Sequence, residues 1–362
     1  MTPQPRRVLV IVTRRIGDVL LATPVLRSLR RAWPDATIDA LVFSSTADVL
    51  SANTDVNHIH AIPERPSLLQ HIVFIGKLFR RYDLALSLVA GDRPTLYAWL
   101  AGRKRVGLLL PTRKESWKRR FLHQWVPYDL NEKHTVLTHL SLLRALNVPA
   151  IAEVTASWNS ADEGVVAQRL APLQSKRYVV LHLYPKFNYK MWSDGAWLEL
   201  ARWIRGQGLH IVLTGSHDAA ELAYVQRLAQ QMDAPLNLAG QLTLNQSACV
   251  IAKATAYVGP DTALTHIAAT VGVPTVALFG PTDPLKWAPW PTGFDSFDGS
   301  HTPWQRLGDQ TIGHVSVVQG NAPCAPCNKE GCDRHVASFS DCLLALPARR
   351  VIHALRQVAH LP

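Results

Sequence analysis

The sequence predicts an α/β protein with two parallel sheets. Short apolar runs alternate with segments of helical periodicity, and this alternation is typical of βαβ units. The alternation stops over residues 148–162 and begins again at Tyr178, which indicates a linker between two similar halves. The length of 362 residues agrees with two domains, since a domain averages roughly 150 residues. We therefore expect two α/β domains with a cleft between them.

In both halves, aliphatic runs short enough to be buried strands precede longer segments with helical spacing. In the first half we predict strands at 8–12, 37–43, 58–62, 84–89 and 105–109, and helical segments at 19–31, 47–52, 94–101 and 132–146. In the second half we predict strands at 178–183 and 210–214, one ending at Val258 and one at 275–279, and helices at 194–207, 218–232, 246–254 and from the cap at 261–262 to Gly272. A last amphipathic helix is predicted at 347–360, and its apolar side chains could pack on either domain.

Residues 259–266 form the most informative motif. They follow an apolar strand and open a helix, with Asp261 or Thr262 at the cap. A helix start presents unpaired backbone N–H groups and the positive end of the helix dipole, and both attract a diphosphate. The next strand runs into a loop at 280–284, and such loops converge on the ligand-binding edge of an open parallel sheet. The sequence therefore predicts a diphosphate-containing ligand at this edge.

Residues 13–18 follow the first strand and lead into a helix. Asp18 could cap that helix, or its carboxylate could act as a general base on a hydroxyl. The turn lacks the Gly-x-Gly-x-x-Gly fingerprint of dinucleotide-binding proteins, which disfavours a nicotinamide dehydrogenase.

The loop at 183–192 follows the first strand of the second half and carries two lysines. A solvated position is the simpler interpretation for Lys186, whereas Lys190 is better placed to meet phosphate. Trp192 could belong to the core or form a platform for a ligand.

The segment 213–221 has the pattern of a strand, a turn and a helix start. Asp218 is expected to cap the helix, because acidic residues favour a helix N-terminus. Glu221 lies one turn further on and could reach a ribose or sugar hydroxyl.

The net charge of +11 is confined to the first half. Residues 1–150 hold 22 Lys and Arg against 11 Asp and Glu, whereas residues 151–362 hold 16 of each kind. The basic clusters would attract a phosphorylated substrate, an anionic lipid surface or nucleic acid, or they form a solvated basic face. No apolar run reaches the ~18 residues that span a bilayer, and we expect a cytoplasmic protein without a signal peptide.

Four cysteines lie close together in the sequence, at Cys324, Cys327, Cys332 and Cys342. Cys-x-x-Cys spacing is typical of zinc sites, but the second pair does not repeat it. We favour reduced thiols at this cluster and leave a bound metal open.

Several segments together resemble the lipopolysaccharide heptosyltransferases, glycosyltransferase family 9, along nearly the full length of the chain. The resemblance rests on residues 15–29, 33–39, 259–266 and 278–284. Residues 189–192 and 324–332 are similar to the heptosyltransferase III subgroup, which adds a branch heptose to the inner core.

The resemblance implies a GT-B fold, in which two Rossmann-like domains with parallel sheets face each other across a cleft. We expect an acceptor-binding domain at 1–155, a nucleotide-sugar-binding domain at 165–345 and a C-terminal helix at 346–362. The implied donor is ADP-L-glycero-D-manno-heptose, whose heptose is transferred with inversion and without a cofactor. The implied acceptor is a phosphorylated lipopolysaccharide core, reached by peripheral contact with the cytoplasmic face of the inner membrane and without nucleic acid.

The resemblance also assigns roles to individual residues. Asp18 matches the general base of the family, and Lys190 matches the lysine beside the donor phosphates. The implied donor-binding residues are Gly215, Glu221, Asp261, Thr262, Ala263, Leu264 and His266. The candidate acceptor-binding residues are Arg14, Arg15, Arg119 and Arg120.

Two features of the predicted donor site leave alternatives: a departure from the family pattern at one position, and a choice between two acidic residues at another. The usual glycine of the family is Ala263 here, and its methyl group narrows the approach to a phosphate-binding N–H. Asp218 is the alternative to Glu221 as the acidic donor contact.

Two other functions remain open from the sequence. The first is a family 9 enzyme with a different nucleotide-sugar or acceptor. The second is a non-catalytic protein on the same fold that binds anions or nucleic acid, although the basic clusters lack the interleaved aromatic residues of a single-strand platform.

Overall fold

Two α/β units are formed by the chain in the computed structural model, which describes residues 4–128, 133–294 and 302–362. Unit 1 ends at Ser157, and unit 2 comprises Trp158–Phe294 and Thr302–Pro362. Each unit contains one predominantly parallel sheet, so the predicted fold class is confirmed.

Unit 1 contains a six-stranded parallel sheet with the strand order β3-β2-β1-β4-β5-β6. Its strands are β1 Arg7–Val12, β2 Thr37–Phe43, β3 His58–Ile62, β4 Tyr82–Ser87, β5 Gly102–Leu109 and β6 Gln124–Pro127. Its helices are α1 Ile16–Leu20, α2 Thr23–Ala32, α3 Leu68–Leu78, α4 Asp92–Ala101 and α5 Thr135–Arg144, with 3₁₀ segments at Ser44–Leu50 and Arg113–Phe121. The direction of strand succession reverses between β1 and β4, and a ligand is expected beyond the carboxyl ends of the strands at such a point.

Unit 2 contains a seven-stranded sheet with the strand order β12-β13-β11-β10-β7-β8-β9, in which only the β12–β13 pair is antiparallel. Its strands are β7 Tyr178–His182, β8 His210–Thr214, β9 Leu236–Asn237, β10 Ala256–Pro260, β11 Thr275–Phe279, β12 Gln310–Ile312 and β13 Val315–Gln319. Its helices are α6 Ser160–Leu170, α7 Asp194–Gly206, α8 Ala219–Ala229, α9 Leu244–Ala252, α10 Ala263–Thr270, α11 Pro284–Trp287, α12 Asp341–Leu344 and α13 Ala348–Val358, with 3₁₀ turns at Ala171–Leu173 and Asn188–Lys190. The reversal of strand succession lies between β7 and β10.

Four predicted strands, at 37–43, 58–62, 210–214 and 275–279, have the observed bounds. The helix predicted at 19–31 is instead two helices, because Pro24 lies in the first turn of α2 and has no N–H with which to continue α1. The linker predicted at 148–162 is too long at its end, since α6 begins at Ser160. Of the helix predicted at 132–146, position 132 lies outside the described residues.

The last helix, α13, belongs to the core of unit 2, which answers the question that the sequence left open. Its buried side chains include Val351, Leu355 and Val358, and it packs against α7, β11 and β13. Among the described residues, no helix is both long and apolar enough to cross a membrane.

Trp192 is a core residue and not a ligand platform, since its side chain is 1% exposed. Its indole N–H donates to the carbonyl of Leu346 at 2.7 Å, and its ring meets Trp197 edge to face at 4.7 Å between centroids. Trp192 thus ties the segment that leads into α13 to the loop after β7.

We predict that Trp192→Phe lowers the free energy of unfolding by about 1–3 kcal/mol, because it leaves the buried Leu346 carbonyl without its donor. Urea unfolding measures this loss. The matched control is Trp203→Phe at a half-buried position, which should cost less. Equal costs for the two variants would contradict this role of the indole N–H.

Candidate active site

The N-terminus of α10 has the geometry expected of an anion site. β10 ends at Pro260, Thr262 is the N-cap, and the Thr262 side chain makes no capping hydrogen bond. The N–H groups in the first turn of a helix have no partner within the helix, and the helix dipole adds positive potential there. The Thr262 and Ala263 side chains are half-buried and that of Leu264 is buried. An anion can therefore meet these backbone donors.

Lys190 places a cation at the same helix start. It ends the 3₁₀ turn after β7, and its ammonium Nζ lies 3.0 Å from the Asp261 carbonyl oxygen and 2.5 Å from Asp261 Oδ2. β7 and β10 are neighbouring parallel strands, so the loops after their carboxyl ends meet. Lys186, by contrast, is exposed, in agreement with the solvated position predicted for it.

Asp261 is a buried carboxylate that stays ionised. Burial alone would raise its pKa, but the Lys190 ammonium and the His266 ring outweigh burial and hold the pKa of Asp261 well below its usual range. His266 Nε2 lies 3.8 Å from Asp261 Oδ1. The ion pair therefore persists at neutral pH and fixes the Lys190 ammonium beside the helix start.

The loop after β8 leads into α8, which carries Glu221. Because β8 is the parallel neighbour of β7, this loop lies at the same edge of the sheet. Asp218 is the N-cap of α8, and its Oδ1 accepts from the N–H groups of Ala220 and Glu221 at 3.0 Å each, so the predicted capping role is confirmed. The Ser216 hydroxyl donates to Glu221 Oε2. A Cβ on Gly215 would lie 2.7 Å from Glu221 Oε1, so only glycine leaves room for this carboxylate.

Three buried polar atoms near these loops have no hydrogen-bond partner among the described residues: Thr214 Oγ1, Glu221 Oε1 and His266 Nδ1. Unpaired buried polar groups are costly and call for an explanation such as a missing ligand. Thr214 ends β8, Glu221 lies in α8 and His266 lies in α10, next to the loops that carry Lys190 and Asp261. Their unpaired atoms support a polar ligand at this edge.

His182, the last residue of β7, was not identified from the sequence. Burial lowers the pKa of His182. The negative charge of Glu221 and a hydrogen bond to the Thr214 carbonyl act in the opposite direction and raise this pKa. The available signal was a polar residue that ends an otherwise apolar strand, directly before the lysine loop.

In unit 1, Asp18 follows the strand at the point where strand succession reverses. The N-cap of α1 is Arg15 and Asp18 lies inside the first turn, so Asp18 is not the helix cap. Its largely buried carboxylate lies 3.6 Å from Arg14 Nε, and the Arg14 side chain is half exposed. The carboxylate is thus free of the capping role that the sequence alone left open.

Two residues near Asp18 were missed from the sequence. Burial raises the pKa of Tyr128, and the negative charge of Asp18 raises it further. Burial lowers the pKa of His139, whose Nδ1 lies 3.2 Å from the Leu21 carbonyl, whereas the charge of Asp18 opposes that decrease. Neither had a local signal, since both come from segments more than 100 residues away along the chain.

The four candidate acceptor arginines do not come together. Arg14 and Arg15 follow the carboxyl end of β1, and both are exposed. Arg119 and Arg120 end the 3₁₀ segment that precedes the amino end of β6, and the Arg119 guanidinium stacks over Trp125 at 4.2 Å. In a parallel sheet these are opposite edges, so the unit does not bring Arg119 and Arg120 to Asp18.

The cysteine cluster consists of free thiols. Burial raises the pKa of Cys342 to about 11, and the neighbouring Cys327, Cys324 and Cys332 act in the same direction. Within residues 4–128, 133–294 and 302–362, no group of three or more His, Cys, Asp or Glu is arranged to hold a metal ion. The fifth cysteine, Cys249, is buried in α9.

Comparison with known proteins gives the class to which this fold and site belong. The profile of glycosyltransferase family 9 (heptosyltransferase) matches residues 75–300, more than half of the chain. The chain belongs to this family and is a glycosyltransferase.

Individual relatives agree with this assignment. The chain is 29% identical over 327 residues to lipopolysaccharide heptosyltransferase 3 of Escherichia coli, a match that covers 83% of this chain and 92% of the relative. Its structure is similar to that of a family 9 glycosyltransferase from Veillonella parvula, with a TM-score of 0.79, 18% identity, and coverage of 98% of this chain and 97% of the other. It is also similar to E. coli ADP-heptose lps heptosyltransferase II, with a TM-score of 0.74, 20% identity, and coverage of 98% of each chain. These likenesses confirm the expected GT-B fold class.

We predict that Gly215→Ala costs about 1–3 kcal/mol of stability, because its methyl group would press against the buried Glu221 carboxylate. In a Glu221→Ala background the same change should cost no more than half as much, and urea unfolding of the four proteins measures the coupling. Gly195→Ala is the matched control, since nothing lies within 4 Å of a Cβ built there. An equal cost of Gly215→Ala in both backgrounds would show that the carboxylate does not restrict this position.

Proposed function

We propose that this protein transfers heptose from ADP-L-glycero-D-manno-heptose to the inner core of lipopolysaccharide, with inversion at the anomeric carbon, and that the acceptor is a branch position. The family supports the reaction, and the relative named lipopolysaccharide heptosyltransferase 3 supports the branch position. The observation that carries the proposal is the Lys190 ammonium held by Asp261 at the N-terminus of α10. A nucleoside-diphosphate sugar offers the diphosphate that such a site suits.

The donor half of the reaction follows from this geometry. The N–H groups of the first turn of α10, in the Ala263–Leu264 segment, bind the diphosphate, and Lys190 offsets the negative charge that develops as ADP leaves. Because these groups are positioned before the reaction, they need no reorganisation in the transition state. The methyl group of Ala263 limits how closely a phosphate oxygen approaches, which favours contact through Leu264 and the Lys190 ammonium.

The remaining donor residues contact the sugar and ribose. Glu221 has a buried carboxylate oxygen without a partner, which can accept a hydrogen bond from a hydroxyl group. The Nε2 atom of His266 lies 3.8 Å from Asp261 Oδ1, and its other ring nitrogen, Nδ1, is unpaired and can serve the same purpose. Gly215 leaves the space in which the Glu221 carboxylate lies, and Thr262 begins the helix whose N–H groups bind phosphate.

The acceptor half of the reaction depends on Asp18. Its carboxylate removes the proton from the acceptor hydroxyl as the oxygen attacks the anomeric carbon and the bond from that carbon to the ADP phosphate oxygen breaks. Arg14 Nε lies 3.6 Å from Asp18 Oδ1 and helps to orient this carboxylate. We assign the exposed Arg14 and Arg15, which precede Asp18 in the sequence, to phosphate groups of the core.

The same proposal includes the place in the cell where the protein acts. Its acceptor is anchored in a membrane, so the protein works in the cytoplasm with peripheral contact at the inner face of the inner membrane. The surplus of positive charge in the first half supports attraction to phosphorylated core and to anionic lipid.

Asp18→Asn tests the base. We predict that acceptor-dependent release of ADP from ADP-heptose falls by about 10²–10⁴-fold, since general-base catalysis typically contributes this factor. The control is Asp48→Asn, an exposed aspartate of unit 1 that should retain full activity. If Asp18→Asn keeps the wild-type rate with a heptosylated core as acceptor, Asp18 is not the base.

Lys190→Gln tests the donor site. We predict that its affinity for ADP, measured by calorimetry, falls about tenfold or more through loss of a charge-assisted contact to phosphate, and that Lys190→Arg recovers part of it. Lys186→Gln is the matched control in the same loop and should bind ADP as the wild type does. Thermal unfolding of Lys190→Gln should be measured as well, because this change leaves the buried Asp261 carboxylate without its ion-pair partner and can lower stability. Unchanged ADP affinity in Lys190→Gln would remove the central support of the proposal.

A further inference from the structure

We propose that the outer surface of α3, α4 and the 3₁₀ segment Arg113–Phe121 docks onto an anionic lipid bilayer. This lipid-docking surface is defined by eight large apolar side chains that face solvent: Leu68, Leu69, Ile72, Val73, Phe79, Leu96, Trp99 and Trp117. The inference rests on the proposed function only in that a membrane-anchored acceptor gives the contact its purpose. The arrangement of the surface is independent of that function.

The α3 helix is apolar on both of its faces. Its inner face meets the core of unit 1 through Phe74 and the buried Leu78. Its outer face presents Leu68 and Ile72, which are 78% and 58% exposed and stand one helical turn apart, with Leu69 and Val73 beside them. A water-facing helix ordinarily carries polar residues on its outer side, and a contiguous exposed apolar patch marks an interaction site.

The α3 helix is a fixed element of the fold. Ser67 and Gln70 form a reciprocal capping box at its start. The His71 ring and the Tyr97 hydroxyl of α4 lie 2.7 Å apart, which joins the two helices side by side. The apolar outer face is therefore held in place and does not result from an unpacked segment.

The surface continues across α4 with aromatic residues. Leu96 and Trp99 lie on the outer side of α4. The ring of Phe121 meets Trp99 at 5.3 Å and Trp117 at 5.6 Å, both edge to face. Tryptophan is enriched where protein meets the headgroup region of a bilayer, since its ring is apolar and its N–H is polar.

Lys118 fixes the 3₁₀ segment onto α4. Its buried ammonium lies 2.5 Å from Asp92 Oδ1 and also contacts Glu115. These are two of only four acidic residues among residues 64–121, which contain thirteen Lys and Arg. The Lys118 ammonium offsets one of these four negative charges, and the other cations remain to act outwards.

The exposed cations surround the apolar residues. They come from the amino ends of β4, β5 and β6, from α3 and the loop before it, and from the 3₁₀ segment: Arg65, Lys77, Arg80, Arg81, Arg103, Lys104, Arg113, Lys114, Arg119 and Arg120. Arg119 and Arg120, which the sequence assigned to the acceptor, therefore belong to this surface by their position. Basic side chains around a shallow apolar face match the headgroups and acyl chains of an anionic bilayer.

Other occupants fit this surface less well. A second copy of the chain would bring two strongly positive surfaces together, which repel each other. Single-stranded nucleic acid could use the cations and the exposed rings of Phe79, Trp99 and Trp117, but it would leave the aliphatic side chains of α3 without an apolar partner. An anionic bilayer satisfies both the charge and the aliphatic side chains.

Vesicle flotation of the full-length protein tests the surface. We expect wild type to float with vesicles of phosphatidylcholine and phosphatidylglycerol in equal amounts, and to float far less with phosphatidylcholine alone. Leu68→Gln/Ile72→Gln and, separately, Lys77→Gln/Lys114→Gln should each weaken binding about tenfold or more. The matched controls lie in unit 2: Leu307→Gln/Val336→Gln for exposed apolar residues and Arg349→Gln/Arg356→Gln for exposed cations, and both should bind as wild type does.

The proposal is overturned if wild type does not bind the anionic vesicles, or if the surface variants and the unit 2 controls bind equally well. It is also overturned if sedimentation without lipid shows a dimer that Leu68→Gln/Ile72→Gln dissociates, or if wild type prefers a single-stranded oligonucleotide to the vesicles. Heptose transfer to a soluble, deacylated core separates this inference from the proposed function. The surface variants should transfer at the wild-type rate, and a wild type that binds vesicles without any transfer would refute the function alone.

Discussion

The buried ion pair between Lys190 and Asp261 is the interaction on which the site of unit 2 depends. It joins the loops after β7 and β10, the two strands between which strand succession reverses. A buried charge is tolerated only when it is paired, and here the pairing also places an ammonium group beside the free N–H groups at the start of α10. Glu221 and His266 then offer unpaired polar atoms near the same edge. One constraint thus explains why the positive groups and the hydrogen-bonding groups converge.

The same sheet geometry separates the chemistry of unit 1 from its attachment surface. Asp18 follows the carboxyl end of β1, where an open parallel sheet binds its ligand. The basic residues that precede β4, β5 and β6 lie at the opposite edge and continue into the exposed apolar faces of α3 and α4. Our proposals therefore give the positive charge of the first half two purposes, since Arg14 and Arg15 precede the proposed base Asp18 and the larger cluster faces outwards.

Local patterns were sufficient to predict nine of the thirteen described strands and the loops that carry chemistry, because each such loop directly follows an apolar run. The strands β6, β9, β12 and β13 were missed. Local patterns also did not predict α3, whose apolar residues occupy both its inner and its outer face. The pairing of Lys190 with Asp261 spans 71 residues, and only the order of the strands brings the two together. The position of Arg119 and Arg120 near the amino end of β6 likewise follows from the strand order and could not be predicted from charge along the chain, and their role in acceptor binding stays a prediction.

The most direct test of the central claim is analysis of the product. The protein is incubated with ADP-L-glycero-D-manno-heptose and a lipopolysaccharide whose inner core lacks its branch heptose, and the core is then examined by mass spectrometry and NMR. Our account predicts a single added heptose whose anomeric configuration is inverted relative to the donor. A folded protein that adds no heptose to any heptosylated core, yet consumes a different nucleotide-sugar, would contradict it.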